Sequence, residues 1–287
     1  MITAEPRPRS YLYVPAYRRE WVQKGWDAGA DAIILDLEDS VPEGRRDEAR
    51  EASCDLLGQR PPAGRELWAR VHPRHLEDDL AAVSQSALTG VVLPKAEPSL
   101  LDATDAMLRE LESHRELGVG RIRLVPLLES ADGLLEVRRI AAHPRVRHLA
   151  LGESDLAGEL GLQPDEQRTQ LWPMRLAVVL ASAAAGIDRP IGPTHLRIAD
   201  QEGLRHTCQT QLAQGFRART AIHPSQVPVI NAVLTPSAVE VADARAVVEA
   251  YTRAVDAGHG AARGPHGEMV DAAVVRIAYD VLSRARP

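Results

Sequence analysis

The 287-residue sequence predicts an α/β chain folded as a (β/α)8 barrel, with a helical extension at its C-terminal end. Three observations carry that expectation. Short apolar or β-branched runs recur eight times, and segments of helical periodicity alternate with them, which implies parallel strands joined by right-handed crossovers. Eight such units suit a closed barrel of about 250 residues. A doubly wound open sheet is the competing fold, but the turn after the first run, "VPAYRRE", has no glycine-rich phosphate loop.

The elements follow in order. "SYLYVPA" (10–16) opens the barrel, and the segment 17–29 after it reads as a helix. "DAIILDLED" (31–39) is the second strand, and its unbroken apolar stretch suits burial on both faces. "ELWARVHP" (66–73) and "GVVLPKAE" (90–97) are the third and fourth, with helices at 76–88 and 99–116. "RIRLVPLLES" (121–130) and "VRHLALGESD" (146–155) are the fifth and sixth, with helices at 131–142 and 172–186. "RPIGPTHL" (189–196) and "RTAIHPSQ" (219–226) close the set around a helix at 200–214.

The barrel is thus expected over residues 1–234 and the extension over 235–287. Within the extension, 235–255 reads as a helix capped near Thr235 or Ser237, with Pro236 at its start. A glycine-rich connector (256–268) and an amphipathic helix (269–285) follow. The apolar face of this tail must be buried, on its own barrel or on a neighbouring subunit, and the reach of the flexible connector favours the neighbour.

Composition narrows the function. A net charge of −6 leaves no basic face for nucleic acid. The longest apolar run, "LAVVLASAAAGI", is too short to span a bilayer, and "MITAEPRPRS" lacks a signal peptide's apolar core. Two cysteines, Cys54 and Cys208, make neither a disulfide framework nor a thiolate metal cage. A cytoplasmic location without membrane attachment is expected. Only two lysines, Lys24 and Lys95, stand against 32 arginines, which singles out Lys95 at a strand end. The four tryptophans, Trp21, Trp26, Trp68 and Trp172, form no stacking array and read as core or interface.

Barrel chemistry sits at the C-terminal ends of the strands. Those ends hold Glu38 and Asp39, Arg70 and His72, Lys95, Glu129, Glu153 and Asp155, His195, and His223 with Gln226. Asp155 alone could equally cap a short helix. Glu129 and Asp155, however, lie on adjacent strands, and neighbouring carboxylates repel unless one protonates or a cation sits between them. Oxygen donors without cysteine or a histidine pair suit a hard ion, Mg2+, which needs only one or two carboxylates and keeps open positions for a chelating substrate. Arg70 offers a planar fork to a substrate carboxylate, or else a salt bridge to Glu38 or Asp39. Lys95 reads as a counter-ion to the acids or as a Schiff-base amine. His72, Pro94 and His223 are expected along the substrate wall.

"RSYLYVPA", "AGADAIILDLEDSVP", "RVHP", "LPKAE", "LLES", "LGESDLAGELG", "AIHPSQ" and "GEMVD", in this order, resemble the HpcH/HpaI aldolase and citrate lyase family. The branch most alike is that of citrate lyase β-subunit-like proteins and malyl-CoA or citramalyl-CoA lyases, over residues 9 to 285. The resemblance implies a TIM barrel, Mg2+ dependence, and cleavage or formation of a carbon–carbon bond beside a thioester or keto acid. It implies that Glu129 and Asp155 bind the metal, that Glu38 and Asp39 hold metal-bound waters, and that Arg70 grips the substrate. Asp271 would be an acid or base delivered from an adjacent subunit of a trimer or hexamer. Two departures bear on substrate: His72 stands where the family often has asparagine, and "IGPTHLRIADQEG" lacks an acid that many relatives carry near Thr194. The partner implied is a CoA thioester or a short keto or dicarboxylic acid. The rival functions are a lyase subunit working on a carrier-protein thioester, and a non-catalytic barrel that binds a dicarboxylate.

Overall fold

The computed structural model describes residues 7–286. It divides into two compact units, one over Pro8–Asn231 and a second that contains 232–286.

The first unit is a closed barrel of eight parallel strands in chain order: β1 (Ser10–Pro15), β2 (Ala32–Asp36), β3 (Glu66–Arg70), β4 (Leu88–Leu93), β5 (Arg123–Leu128), β6 (Ala150–Leu151), β7 (Ile191–Gly192) and β8 (Ala218–Ala221). Every run expected to hold a strand holds one. β2 is buried at all five positions, because the barrel interior covers one face and the helices cover the other. Inside, Tyr11, Ile34, Trp68, Val92, Val125 and Leu127 belong to one apolar cluster that fills the lumen, so the barrel is a packed core and not a pore. β6 and β7 are two residues each and share a single paired position, Ala150 with Ile191.

The N-terminal ends of the strands are closed by ion pairs. Asp31 accepts from Arg9 Nε and Arg65 Nη1, each at 2.7 Å. Glu66 accepts from Arg147 Nη2 at 2.8 Å and from Trp68 Nε1 at 2.9 Å. Glu112, fully buried, accepts from Arg145 Nη1 and Nη2 at 2.8 and 2.7 Å and from the Gly120 and Ile122 amides at 2.7 Å.

The second unit contains two helices, Ala238–Asp256 and Ala272–Arg284, and a small antiparallel pair, Ala262–Arg263 with Met269–Val270. Ser237 caps the first helix in a reciprocal pair with Glu240. The last helix begins three residues later than its periodicity suggests. Asp271 is its N-cap, accepting from the Ala273 and Val274 amides at 2.8 and 3.0 Å, and Met269–Val270 stay extended. No described helix is long and apolar enough to cross a membrane.

Candidate functional site

β2 ends on Asp36 and β3 on Arg70, and the parallel register sets these two side by side. Arg70 donates Nε and Nη2 to the two oxygens of Asp36, each at 2.7 Å. Asp36 also accepts the amides of Glu38 and Ser40. Burial would raise its proton affinity, but the Arg70 guanidinium outweighs burial and holds the carboxyl below its usual range. The third nitrogen of Arg70, Nη1, lies 3.0 Å from Glu38 and 3.2 Å from Asp39. Sequence reasoning foresaw a bridge to Glu38 or Asp39 and missed Asp36, the principal partner. Only the strand register reveals it.

Glu38 is nearly buried and Asp39 is largely exposed. Burial pushes Glu38 up to about 8; Arg70 opposes this, while Asp39, Glu129 and Asp36 add to it. Glu129, just past β5, is buried and pushed up to about 7, first by burial and then by the charge of Asp155. The Lys95 amide, which donates to Glu129 Oε1 at 2.9 Å, and the more distant Arg70 only partly offset this.

β6 leads through Gly152 into the helix Glu153–Glu159. A side chain at Gly152 could not be accommodated: a Cβ there would lie 2.5 Å from Glu129 Cβ and 2.7 Å from its Oε2. Close approach of the two strand ends therefore requires glycine. Glu153 is committed to Arg175 (2.5 Å) and Arg168 (2.7 Å). Asp155 lies exposed in the first helical turn and faces the cavity. It is not the cap: the cap position is Gly152 and makes no side-chain bond.

These groups border one cavity of about 1360 Å³ inside the first unit. Arg70, Glu129, Asp155, Asp39 and His223 line it. Of the groups expected at the barrel rim, Glu38, Lys95, His72 and Pro94 do not. Lys95 is exposed and turned by a backbone φ of 49°, so the amide that bonds Glu129, and not its amine, serves the site. His72 is occupied locally: its Nδ1 accepts the Arg74 amide at 3.0 Å and caps the turn Pro73–His75. Pro94 is buried behind the strand end. His223 lines the cavity with Nδ1 bonded to the Ser225 hydroxyl at 2.8 Å. Asp271 belongs to the second unit, where N–H groups of Val274 and Ala273 hold its carboxyl below the usual range.

Trp21 and Lys24, neither foreseen as site residues, also border the cavity. Arg18 packs over the rings of Trp21 and Tyr17 at 5.3 and 5.2 Å. Their signal in the sequence was slight: an aromatic and a lysine three residues apart on the first helix, Arg19–Asp27.

Among the described residues no group of three or more histidines, cysteines or acids is assembled to hold a metal. The donor set at the rim is two carboxylates, Glu129 and Asp155, with no guanidinium bonded to either among the described residues. Such a set fits a hard ion that completes its shell with water and substrate oxygens. It also explains the high proton affinity of Glu129, which a cation would relieve.

Comparisons with known proteins agree with this architecture. A family model described as HpcH/HpaI aldolase/citrate lyase matches residues 9–224. The chain is 31% identical over 280 residues to a (3S)-malyl-CoA thioesterase of Cereibacter sphaeroides, covering 96% of this chain and 92% of the relative. It is 32% identical over 283 residues to a citrate lyase subunit beta-like protein of Mycobacterium tuberculosis, covering 96% and 94%. Among solved structures it resembles protein CitE from M. tuberculosis in complex with magnesium, acetoacetate and coenzyme A, at a TM-score of 0.74 and 31% identity, with 98% and 99% of the two chains covered.

Proposed function

The chain belongs to the HpcH/HpaI aldolase/citrate lyase family, and on that premise we propose that it is a Mg2+-dependent carbon–carbon lyase acting on a β-hydroxyacyl-CoA such as malyl-CoA or citramalyl-CoA. One observation carries the reading: Glu129 and Asp155 line the same cavity close enough for the charge of Asp155 to raise Glu129, with no arginine bonded to either among the described residues, in a family whose CitE member binds magnesium and coenzyme A.

Glu129 and Asp155 would hold the ion, with Glu38 and Asp39 beside them to order water. A bound divalent cation supplies Lewis-acid charge to the oxygens of a chelating substrate. The protein supplies the rest. Asp36 fixes Arg70 through Nε and Nη2, and Nη1, which lies against Glu38 and Asp39, is the nitrogen a substrate oxygen would approach. In the cleavage direction a base takes the hydroxyl proton and the Cα–Cβ bond breaks. Its electrons pass to the thioester enolate, and the keto acid departs. The growing oxyanion needs fixed positive charge, which Arg70 provides. Asp271 of an adjacent copy is our candidate base. Trp21 and Lys24, which border the cavity, would offer an aromatic surface to a nucleobase and charge to phosphates.

The test is product analysis of malyl-CoA and citramalyl-CoA by mass spectrometry, with Mg2+ and with excess EDTA. Equimolar acyl-CoA and keto acid, lost on chelation, is the expected result. Full activity in EDTA overturns the metal assignment. Free CoA without keto acid assigns hydrolysis instead, the activity in the name of the C. sphaeroides relative. Turnover of a carrier-protein thioester with none of the CoA ester assigns the subunit role.

A further inference from the structure

The cavity has a second lobe between β7, β8 and the helix Gln201–Gln214 that the lyase reading leaves unused. Its polar groups lack what their chemistry calls for. Arg219 is 2% exposed, yet its acceptors among the described residues are neutral: the Pro193 and Leu204 carbonyls and the Thr207 hydroxyl, at 3.0, 3.4 and 2.9 Å. The adjacent Cys208 gives no negative charge, since burial pushes its thiol up. Gln211 is 3% exposed, and its Oε1 has no hydrogen-bond partner among the described residues. The absence of a side chain at Gly192 keeps this amide in reach of the lobe; a Cβ there would lie 2.2 Å from Gln211 Oε1. Of the two acids at the start of this helix, Asp200 is already occupied by the Gly203 amide and by His195 at 3.4 Å, and Glu202 is exposed.

A buried guanidinium without an anion is costly, and so is a buried amide without partners. Two such groups converging on one lobe mark a site whose ligand completes them. We propose that Arg219, Thr207 and Gln211 form a carboxylate subsite, separate from the acid pair, which takes a second carboxylate of the substrate. The guanidinium supplies charge and Thr207 a hydroxyl. The Gln211 amide, rotated by half a turn about its last bond, supplies an N–H. The subsite rests on the lyase reading only in taking its anion to be part of the substrate.

The experiment has two arms. In the first, metal-free protein in EDTA is titrated with malonate by calorimetry, which reads neither metal nor turnover. Saturable binding at millimolar concentration is expected, weakened about tenfold or more by Gln211→Leu and by Arg219→Gln, the loss of one charge-assisted bond. Gln211→Leu removes an unsatisfied amide, so it is expected to melt no lower than the wild type, and it keeps the test open if Arg219→Gln fails to fold. No malonate binding, or equal binding by folded Gln211→Leu, overturns the subsite. In the second arm, with Mg2+, oxaloacetate is compared with pyruvate. A preference for oxaloacetate that Gln211→Leu abolishes assigns the anion to the substrate. A preference that the variant leaves intact overturns that assignment and makes the ligand of the first arm a free carboxylate.

Discussion

The two ends of the barrel are built from the same residue types and behave oppositely. At the N-terminal end, Asp31, Glu66 and Glu112 each receive at least one guanidinium. Burial would raise Glu112, but Arg145 and two amides outweigh it and hold the carboxyl down. At the C-terminal end, Glu38 and Glu129 are as deeply placed, yet they are pushed up to about 8 and about 7. Burial raises all of them, and what differs is how fully a guanidinium is committed to the carboxylate: Arg70 gives Glu38 only its third nitrogen, and among the described residues none bonds Glu129. Asp36 shows this from within the upper end: it is 1% exposed and remains low because Arg70 grips it with two nitrogens. One end spends its arginines on cohesion, and the other leaves charge uncompensated for an ion or substrate to resolve.

Exchanging the treatment of the two ends tests that contrast. The largest effect is expected from Glu129→Gln, which should cut Mg2+-dependent turnover by about a thousandfold or more, the loss of several kcal/mol of charge stabilisation. The metal-free melting temperature should not fall. Glu112→Ala should do the reverse, costing about 3 kcal/mol in a urea melt by leaving Asp105 as the one carboxylate on buried Arg145 and unpairing the Gly120 and Ile122 amides, while the surviving folded protein keeps its kcat. If Glu129→Gln unfolds the protein, or Glu112→Ala silences folded enzyme, the contrast is wrong.

An intermediate effect concerns pH. Glu129 and Glu38 hold protons more tightly when folded than when unfolded, where carboxyls titrate near 4.5. Their contribution to stability is therefore fully present below about pH 4.5 and is lost as pH rises through about 7 and 8. Denaturant melts of metal-free protein from pH 5 to 8 should show a loss on the order of 3 kcal/mol from Glu129. Saturating Mg2+ or Glu129→Gln should flatten the slope. A metal-free protein that gains stability over this range would contradict it.

The smallest effect tests geometry. Gly152→Ala places a Cβ against Glu129 and should cost about 1–3 kcal/mol through overpacking. It should also weaken Mg2+ affinity in a fluorescence or calorimetric titration. Unchanged metal affinity would show that the two strand ends can part without consequence.

How far the sequence is legible follows from where each signal resides. The eight strands are readable because each apolar run is local and ends in a polar group. β6 and β7 are legible as runs, although only two residues of each join the ladder. The acids at positions 38, 129 and 155 are legible because barrel order alone brings them to one rim. The Asp36–Arg70 pair is not, since it depends on a register between strands 34 residues apart. Asp271 is legible as an acid, but its capping bonds, and so the true start of the last helix, are decided by two backbone amides. The carboxylate lobe has no motif at all: Gly192, Thr207, Gln211 and Arg219 converge only in three dimensions.

Lys95 attracts notice as one of two lysines in an arginine-rich chain, yet its contact with Glu129 comes from the main chain at a positive φ. What the site asks of this position is a torsion angle rather than a functional group. Asparagine or glycine would satisfy that request more easily than lysine does. Chemistry here is therefore inherited through conformation, and a substitution that deletes the cation while preserving the turn leaves the donor to Glu129 in place.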